Sequence, residues 1–371
     1  MDDDSRHHLS DAEQELFHTL SQQAQEGDWT RGFSLRDLHD DPWELGVFNP
    51  DRVSFATPGD RRSKVTELRQ LLFEVVRPFF IDEASWETLE AEITRLYTNP
   101  ELCAFMEERR GNLFVVTPHV QFHDLGIVAA KSLEVRASLP KDNPFAAPDD
   151  PGRDQTIVAN RVLAMLQHEA FEALTGLPVM EGLMMPLADI VTTISANGSA
   201  RLTRRVLGRE KVANLNQRTR DHLVQMTTRG GQLIMLAPSG SQARLEPVDR
   251  YSDALVVGEA SRGTAELICQ LNEGEAMTRR NAVAGLFLDC PSIRPDGQIE
   301  AVEAGVALCR DVWVPTDSNQ LEYIMKATLR TGVGRGRRFG HEFRYGTTDD
   351  DGILRRHQLA TLDRAKLTEL D

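Results

Sequence analysis

His119 and Asp124 stand five positions apart, shortly after an apolar run from Asn112 to Val116. On one ideal helix their side chains would point about 140° apart and could not meet. They can meet if His119 lies in a strand-to-helix turn and Asp124 in the first turn of the helix, where the helix dipole favours an acid. Asp124 would then orient the imidazole while His119 takes a proton from a hydroxyl group. The spacing therefore predicts a general base with its orienting carboxylate.

Two other interpretations of this segment stay open. Asp124 can act as a simple helix cap. His119 and His123 are four positions apart, which is the spacing of two metal ligands on one helical face. No motif that would supply a third ligand follows them, so we expect no metal ion at this site.

A second polar turn, Pro238-Ser239-Gly240, follows the apolar run from Gln232 to Leu236. Short apolar runs that end in proline, glycine or serine are typical of buried strands, and open α/β sheets bind ligands at the carboxyl ends of their strands. We therefore expect both turns to face one crevice, with the backbone of Ser239 and Gly240 available to a substrate oxygen. Arg244 could hold a phosphate through a forked contact. An ordinary strand-ending turn with a solvated arginine is the alternative.

Four arginines fall within nine residues in the middle of the chain: Arg201, Arg204, Arg205 and Arg209. Such a density of guanidinium groups in an acidic protein predicts a phosphate site. The alternative is one solvated face of a helix.

The composition limits the class of protein. The 371 residues include 57 acidic and 42 basic side chains, a formal charge of −15. Non-specific nucleic-acid binding depends on neutralising phosphates, so we expect no nucleic-acid partner. The four cysteines show no CxxC spacing and the amino terminus is acidic and polar, which favours reduced thiols in a cytoplasmic protein. No apolar stretch approaches the ~20 residues that span a bilayer, so any membrane contact is expected to be peripheral.

The pattern of elements changes near residue 110. Helical periodicity predicts an N-terminal helical domain over residues 1–110 and an α/β domain over residues 111–371. The helices of the first are expected at residues 10–25, 63–80, 85–97 and 100–109. The second is expected to contain strands at 112–116, 189–195, 232–236 and 282–288, helices at 124–133 and 157–174, a helix ending at Gly230-Gly231, and a proline-rich loop at 140–151.

Together these blocks resemble the glycerolipid acyltransferase superfamily, and more closely its soluble, plastid-type glycerol-3-phosphate 1-acyltransferase branch. The resemblance rests on His119 to Asp124, on the stretch from Arg218 to Gly240 with its Arg-Gly-Gly turn and Ala-Pro-Ser-Gly end, and on Gly285 to Cys290. Residues 60–340 are plausibly covered. The resemblance implies a mixed sheet flanked by helices, preceded by a helical bundle.

The resemblance also implies the reaction and the roles of the residues. His119 would act as general base on the sn-1 hydroxyl of glycerol 3-phosphate, oriented by Asp124. The acyl donor would be a thioester of acyl carrier protein or coenzyme A, without a metal or another cofactor. Arg201, Arg204, Arg205 and Arg244 would bind the phosphate.

Some alternatives to this function stay open. Gln242 stands where the family has its first arginine after the Pro-Ser-Gly turn, so another hydroxyl compound could be the acceptor. A non-catalytic lipid- or carrier-binding protein of the same fold and a metal-dependent hydrolase are the other classes.

Overall fold

The computed structural model describes residues 47–48, 81, 83–118, 124–147, 155–160, 189–193, 209–240, 244–247, 253–273, 278–289, 305–333 and 342–345. Its helices are α1 (Glu83–Tyr97), α2 (Pro100–Arg109), α3 (Asp124–Ser138), α4 (Arg209–Arg229), α5 (Arg262–Gln270) and α6 (Ser318–Val333). Its strands are β1 (Val47–Phe48), β2 (Asn112–Val116), β3 (Gln155–Asn160), β4 (Asp189–Thr193), β5 (Leu233–Leu236), β6 (Arg244–Pro247), β7 (Asp253–Val257), β8 (Asn281–Asp289), β9 (Gly305–Trp313) and β10 (Glu342–Tyr345).

The described strands form a mixed sheet in the order β1-β4-β3-β5-β2-β8-β9. The five inner strands are parallel to one another, while β1 and β9 pair antiparallel at the two edges. A smaller sheet has the order β10-β7-β6. The predicted α/β class with a mixed sheet is therefore confirmed. The helices predicted at 10–25 and 63–80 lie outside the described residues, so the N-terminal bundle stays a prediction.

Helices cover both faces of the large sheet, as its inner strand β2 requires. All five side chains of β2 are buried, and they alternate between two apolar cores. Leu113 and Val115 join the core that includes α1, α2 and α3. Phe114 and Val116 join the core that includes α4, α5 and α6. Because α1 and α2 share a core with the sheet, these two helices belong to its packing; the domain boundary at residue 110 stays a prediction.

Local sequence signals predicted the ends of several helices and strands correctly. Helix α2 and strand β2 have the predicted bounds, and α4 ends at Arg229, directly before the predicted Gly230-Gly231 stop. Both glycines have positive φ, 78° and 71°, which only glycine adopts without strain. None of the helices in the described ranges has the length and apolarity needed to cross a membrane.

The prediction of a helix from Ile157 was wrong at its start. Residues Gln155–Asn160 form strand β3, which pairs between β4 and β5. The three central residues of its apolar run are Thr156, Ile157 and Val158, whose β-branched side chains favour a strand. Residues 161–174 lie outside the described residues. Helix α3 is longer than predicted and ends at Ser138, because Val135 and Arg136 in its last turns are still buried.

A buried polar layer fixes α3 against its neighbours. The hydroxyl groups of Tyr97 and Ser132 are 2.6 Å apart, and Ser132 donates to Gln155 Oε1 at 3.0 Å. Gln155 in turn donates through Nε2 to the Ala129 carbonyl at 3.1 Å. Buried hydrogen bonds of this kind are costly to leave unpaired, so they hold α3 in one position between α1 and β3.

Three asparagines organise the amino ends of β2 and β8. Asn112 donates through Nδ2 to the Thr227 carbonyl at 2.9 Å and to Asn281 Oδ1 at 2.8 Å. Asn281 donates to the Ile268 carbonyl at 2.8 Å, and Asn272 donates to the Asn281 carbonyl at 2.7 Å. The carbonyls of Thr227 and Ile268 lie in the last turns of α4 and α5, where helices leave acceptors unpaired. The asparagine amides therefore satisfy the ends of two helices.

Candidate functional site

The two polar segments predicted from the sequence begin side by side in the folded chain. Strands β2 and β5 are parallel neighbours, with Val116 in register with Leu236. The Thr117 amide donates to the Leu236 carbonyl at 3.1 Å, so the two chains are still paired where the strands end. The carboxyl ends of both strands therefore meet at one edge of the sheet, which we call the carboxyl edge.

Asp124 lies at the first position of α3, as predicted. Its side chain is fully buried, and its Oδ1 accepts a hydrogen bond from the Leu125 amide at 2.8 Å. This arrangement satisfies one of the free N–H groups at the helix start and places a carboxylate where the dipole favours it. His119 and His123 lie outside the described residues, so the contact between the imidazole and the Asp124 carboxylate stays a prediction.

The Pro238-Ser239 turn closes tightly after β5. Gly240 donates its amide to the Ala237 carbonyl at 2.9 Å, which makes Pro238 and Ser239 the central residues of a β-turn. Ser239 does not have a positive φ and Pro238 fixes its own φ near −65°, so the turn is type I. Gly240 follows it with a φ of 64°. The Gly240 amide is already bonded within the turn. Gly240 could therefore serve a site only by lacking a side chain, which lets a substrate approach the backbone closely.

The turn is also held from the side of α5. Ser261, the residue that caps α5, donates its amide to the Pro238 carbonyl at 2.8 Å. Ser239 itself is buried. The loop after β5 is thus rigidly positioned at the carboxyl edge, which is what preorganised contacts to a substrate require.

Thr117 is a candidate residue that the sequence prediction missed. Its side chain is 1% exposed, and its Oγ1 finds no hydrogen-bond partner in the part of the chain that the structure describes. Strand alternation directs it to the same face as Leu113 and Val115, the face on which α3 packs. Burying a hydroxyl group without a partner costs about 1–3 kcal/mol. A polar residue directly after a buried strand, two positions before His119, was the available signal.

The arginines predicted to bind phosphate are only partly within the described residues. Arg244 is the first residue of β6 and pairs with Val256 in the small sheet. The position of its guanidinium group is outside the described set, and so are Arg201, Arg204 and Arg205 altogether. Their role as phosphate ligands stays a prediction.

The cysteines that the structure describes are poor nucleophiles. Burial raises the pKa of the Cys269 thiol to about 12, with smaller contributions from Asp317 and Glu273. Burial and the charge of Glu107 also raise the pKa of Cys103. Both thiols are therefore protonated at neutral pH, while nucleophilic attack needs the thiolate. Among the described residues, no group of three histidine, cysteine or acidic side chains is arranged to hold a metal ion.

A comparison with models of known protein families finds no match. A comparison with curated proteins finds no sequence of significant similarity.

Proposed function

We propose that this protein transfers a fatty acyl group from a thioester of acyl carrier protein or coenzyme A to the sn-1 hydroxyl of glycerol 3-phosphate. The observation that carries the proposal is the parallel pairing of β2 with β5. This pairing brings Thr117, two positions before His119 in the sequence, and the Pro238-Ser239-Gly240 turn to one sheet edge, and α/β proteins bind their ligands at such an edge. The resemblance of the His119–Asp124 segment and of this turn to glycerolipid acyltransferases supports the same reaction.

The proposed step needs one base and no cofactor. His119 removes the proton from the acceptor hydroxyl, and the oxygen attacks the carbonyl carbon of the thioester. The carbon–sulfur bond then breaks, and the leaving thiolate takes the proton back from the imidazolium. Asp124 orients the ring and stabilises its positive charge during the step.

Backbone and side chains at the carboxyl edge hold the substrate in this proposal. Thr117 donates its hydroxyl proton to a substrate oxygen, a partner that the described residues do not supply to this buried group. Gly240 permits close approach at the turn beside Ser239. The phosphate of the acceptor binds to guanidinium groups, which match its oxygens in a forked geometry. We assign this role to Arg201, Arg204, Arg205 and Arg244.

The proposed product is an amphipathic lipid, 1-acylglycerol 3-phosphate. We infer a cytoplasmic enzyme of phospholipid biosynthesis that contacts the membrane peripherally to release this product. Its co-substrate is the acyl thioester, and no metal takes part.

The proposal is tested with the purified full chain, an acyl-coenzyme A or acyl carrier protein donor, and glycerol 3-phosphate, glycerol or no acceptor. We expect thiol release with glycerol 3-phosphate and much less with glycerol, which lacks the phosphate. Transfer to glycerol at the same rate would point to another hydroxyl acceptor. Thiol release in the absence of any acceptor, stopped by a chelator, would indicate a metal-dependent hydrolase. Donor binding without thiol release would indicate a carrier-binding protein.

Replacing Thr117 with valine separates a functional hydroxyl from a structural one. Valine has nearly the same shape but no hydroxyl group. We expect the variant to be at least as stable as the wild type, because it removes a buried polar atom that has no hydrogen-bond partner within the described ranges. We expect its kcat/KM for acyl transfer to fall about tenfold, the loss of one hydrogen bond to the substrate. Chemical denaturation and the thiol-release assay measure the two effects.

Thr117→Ser is the matched control for this prediction. Serine keeps the hydroxyl group, so the acyl-transfer rate should stay close to that of the wild type. Loss of stability in Thr117→Val, with unchanged kcat/KM, would show that the hydroxyl has a structural partner and no contact with the substrate.

A further inference from the structure

Five arginines lie at the amino ends of three neighbouring strands, opposite to the carboxyl edge. Arg109 and Arg110 precede β2, Arg229 precedes β5, and Arg279 and Arg280 precede β8. The strands β5, β2 and β8 are adjacent and parallel, so their amino ends meet at one edge. We call these five residues the arginine edge.

Hydrogen bonds connect the three segments of the arginine edge directly. The Asn112 amide donates to the Arg280 carbonyl at 2.6 Å. The Gly231 amide donates to the Arg110 carbonyl at 3.3 Å, and Arg280 donates through Nη1 to the Thr228 carbonyl at 3.1 Å. The segments are therefore in contact, although 120 or more positions separate the first from the other two in the sequence.

Four of the five arginines at the edge have no ion pair with a carboxylate of the described residues. Other described arginines form ion pairs: Arg95 with Glu92, and Arg220 and Arg262 with Glu266. By contrast, no carboxylate in the described ranges forms an ion pair with any of four members of the edge. These four are Arg110, Arg229, Arg279 and Arg280. The edge therefore concentrates positive charge locally, although the whole protein carries a net charge of −15.

Two members of the edge are close enough to repel each other. Burial lowers the pKa of Arg109; the carboxylate of Glu108 opposes this change, and the charge of Arg279 adds to it. The Nε of Arg279 is buried and has no hydrogen-bond partner among the described residues. Like charges held together in a partly buried place destabilise the fold unless an anion joins them.

Among the described residues, helix capping accounts for Arg280 but not for Arg279. Basic residues at helix ends often bind the last carbonyls, and α2 and α4 both end here. The amides of Asn112 and Asn281, however, already bind the carbonyls of Thr227 and Ile268. The Arg280 guanidinium group donates to a carbonyl at the end of α4, while Arg279 makes no capping hydrogen bond within the described residues.

We propose that the arginine edge is a binding site for a phosphate group of a soluble ligand. Guanidinium groups present paired N–H donors that match phosphate oxygens. A phosphate beside Arg279 would accept from its buried Nε, which has no partner among the described residues. Three adjacent strands span about 10 Å, which is wide enough for more than one phosphate group. A di- or oligophosphate therefore fits the edge better than a single phosphate.

This site is separate from the carboxyl edge. The five residues of β2 extend about 16 Å, so the two edges lie at opposite ends of the sheet. A phosphate at the arginine edge cannot be the reacting acceptor at the carboxyl edge. The proposal stands independently of the acyltransferase function and survives if that function fails.

The test is titration calorimetry of the purified full chain with pyrophosphate, inorganic phosphate and glycerol 3-phosphate. We expect pyrophosphate to bind more tightly than phosphate, with an affinity that falls as salt is added. Arg279→Gln should weaken the binding about tenfold, because one charge-assisted contact is lost. The same variant should fold normally, since Arg279 has no hydrogen bond to lose among the described residues. Arg262→Gln, an exposed arginine of α5, is the matched control and should bind as the wild type does.

Other results decide the source of the phosphate or overturn the proposal. Vesicles of phosphatidylcholine with phosphatidic acid form a separate arm. Vesicle binding that depends on Arg279, without binding of pyrophosphate, would replace the soluble ligand with a lipid headgroup. Absence of any binding to the wild type, or equal binding by Arg279→Gln, would overturn the site. A thermal shift with pyrophosphate that Arg279→Gln abolishes and Arg262→Gln retains would support it.

Discussion

Replacing Asp124 with asparagine is expected to lower the rate of acyl transfer by about 10²- to 10⁴-fold while the protein stays folded. The carboxylate is fully buried at the start of α3, where its oxygen accepts the Leu125 amide. Asparagine caps helices as well as aspartate does, so this hydrogen bond survives the change. What is lost is the negative charge that, in the proposed mechanism, orients the His119 imidazole and stabilises its protonated form. The thiol-release assay measures the rate, and circular dichroism with chemical denaturation measures the fold.

His119→Ala and the double variant complete this experiment. We expect His119→Ala to be as slow as Asp124→Asn or slower, because it removes the base itself. The double variant should be no slower than His119→Ala, since residues that act as one unit are not additive. If Asp124→Asn transferred acyl groups at nearly the rate of the wild type, Asp124 would act only as the cap of α3. If Asp124→Asn lost activity only in proportion to its loss of stability, we would likewise conclude that Asp124 has a structural role alone.

Replacing Gly285 with alanine is expected to destabilise the fold by about 3 kcal/mol, as overpacking of a rigid contact does. Gly285 lies in β8, paired with Val116 of β2 and within a register shift of the β8–β9 pairing. A Cβ atom added here would lie 1.8 Å from Thr328 Oγ1 and 3.0 Å from Thr328 Cβ. Thr328 is fully buried in α6 and donates to the Ile324 carbonyl, so it cannot rotate away without losing a hydrogen bond. Helix α6 would have to move off the sheet.

Two variants control the prediction for Gly285. Gly263→Ala changes a glycine in the first turn of α5 with no heavy atom within 4 Å of the new Cβ, so it should be neutral or stabilise the protein by up to about 1 kcal/mol. In a double-mutant cycle, Thr328→Ala should recover part of the loss in Gly285→Ala, because it removes the atom at 1.8 Å. Urea denaturation supplies all four free energies of unfolding. Strictly additive effects of the two changes would contradict the steric explanation.

Local patterns were sufficient for those elements whose ends carry their own signals. Asn99 caps α2, and the glycines after Arg229 stop α4, so both boundaries can be read from neighbouring residues. The buried strand β2 was predictable from its apolar run alone. Strand β3 was not, because a short run such as Thr156 to Val158 fits a helix or a strand until its neighbours are known. Its pairing between β4 and β5 decides the outcome.

The candidate sites also combine local features, which the sequence determines, with long-range contacts, which it does not. The sequence by itself determined that His119, Asp124 and the Pro238-Ser239-Gly240 turn follow apolar runs, because residue type and spacing are local properties. Only the tertiary structure decided that β2 and β5 are parallel neighbours. It also decided that the buried Thr117 hydroxyl beside them finds no partner in the part of the chain that the structure describes. Only the tertiary structure gathered Arg109, Arg279 and their neighbours at one edge. The order of β5, β2 and β8 depends on contacts between residues more than 100 positions apart. No local pattern records which distant strand will be the neighbour.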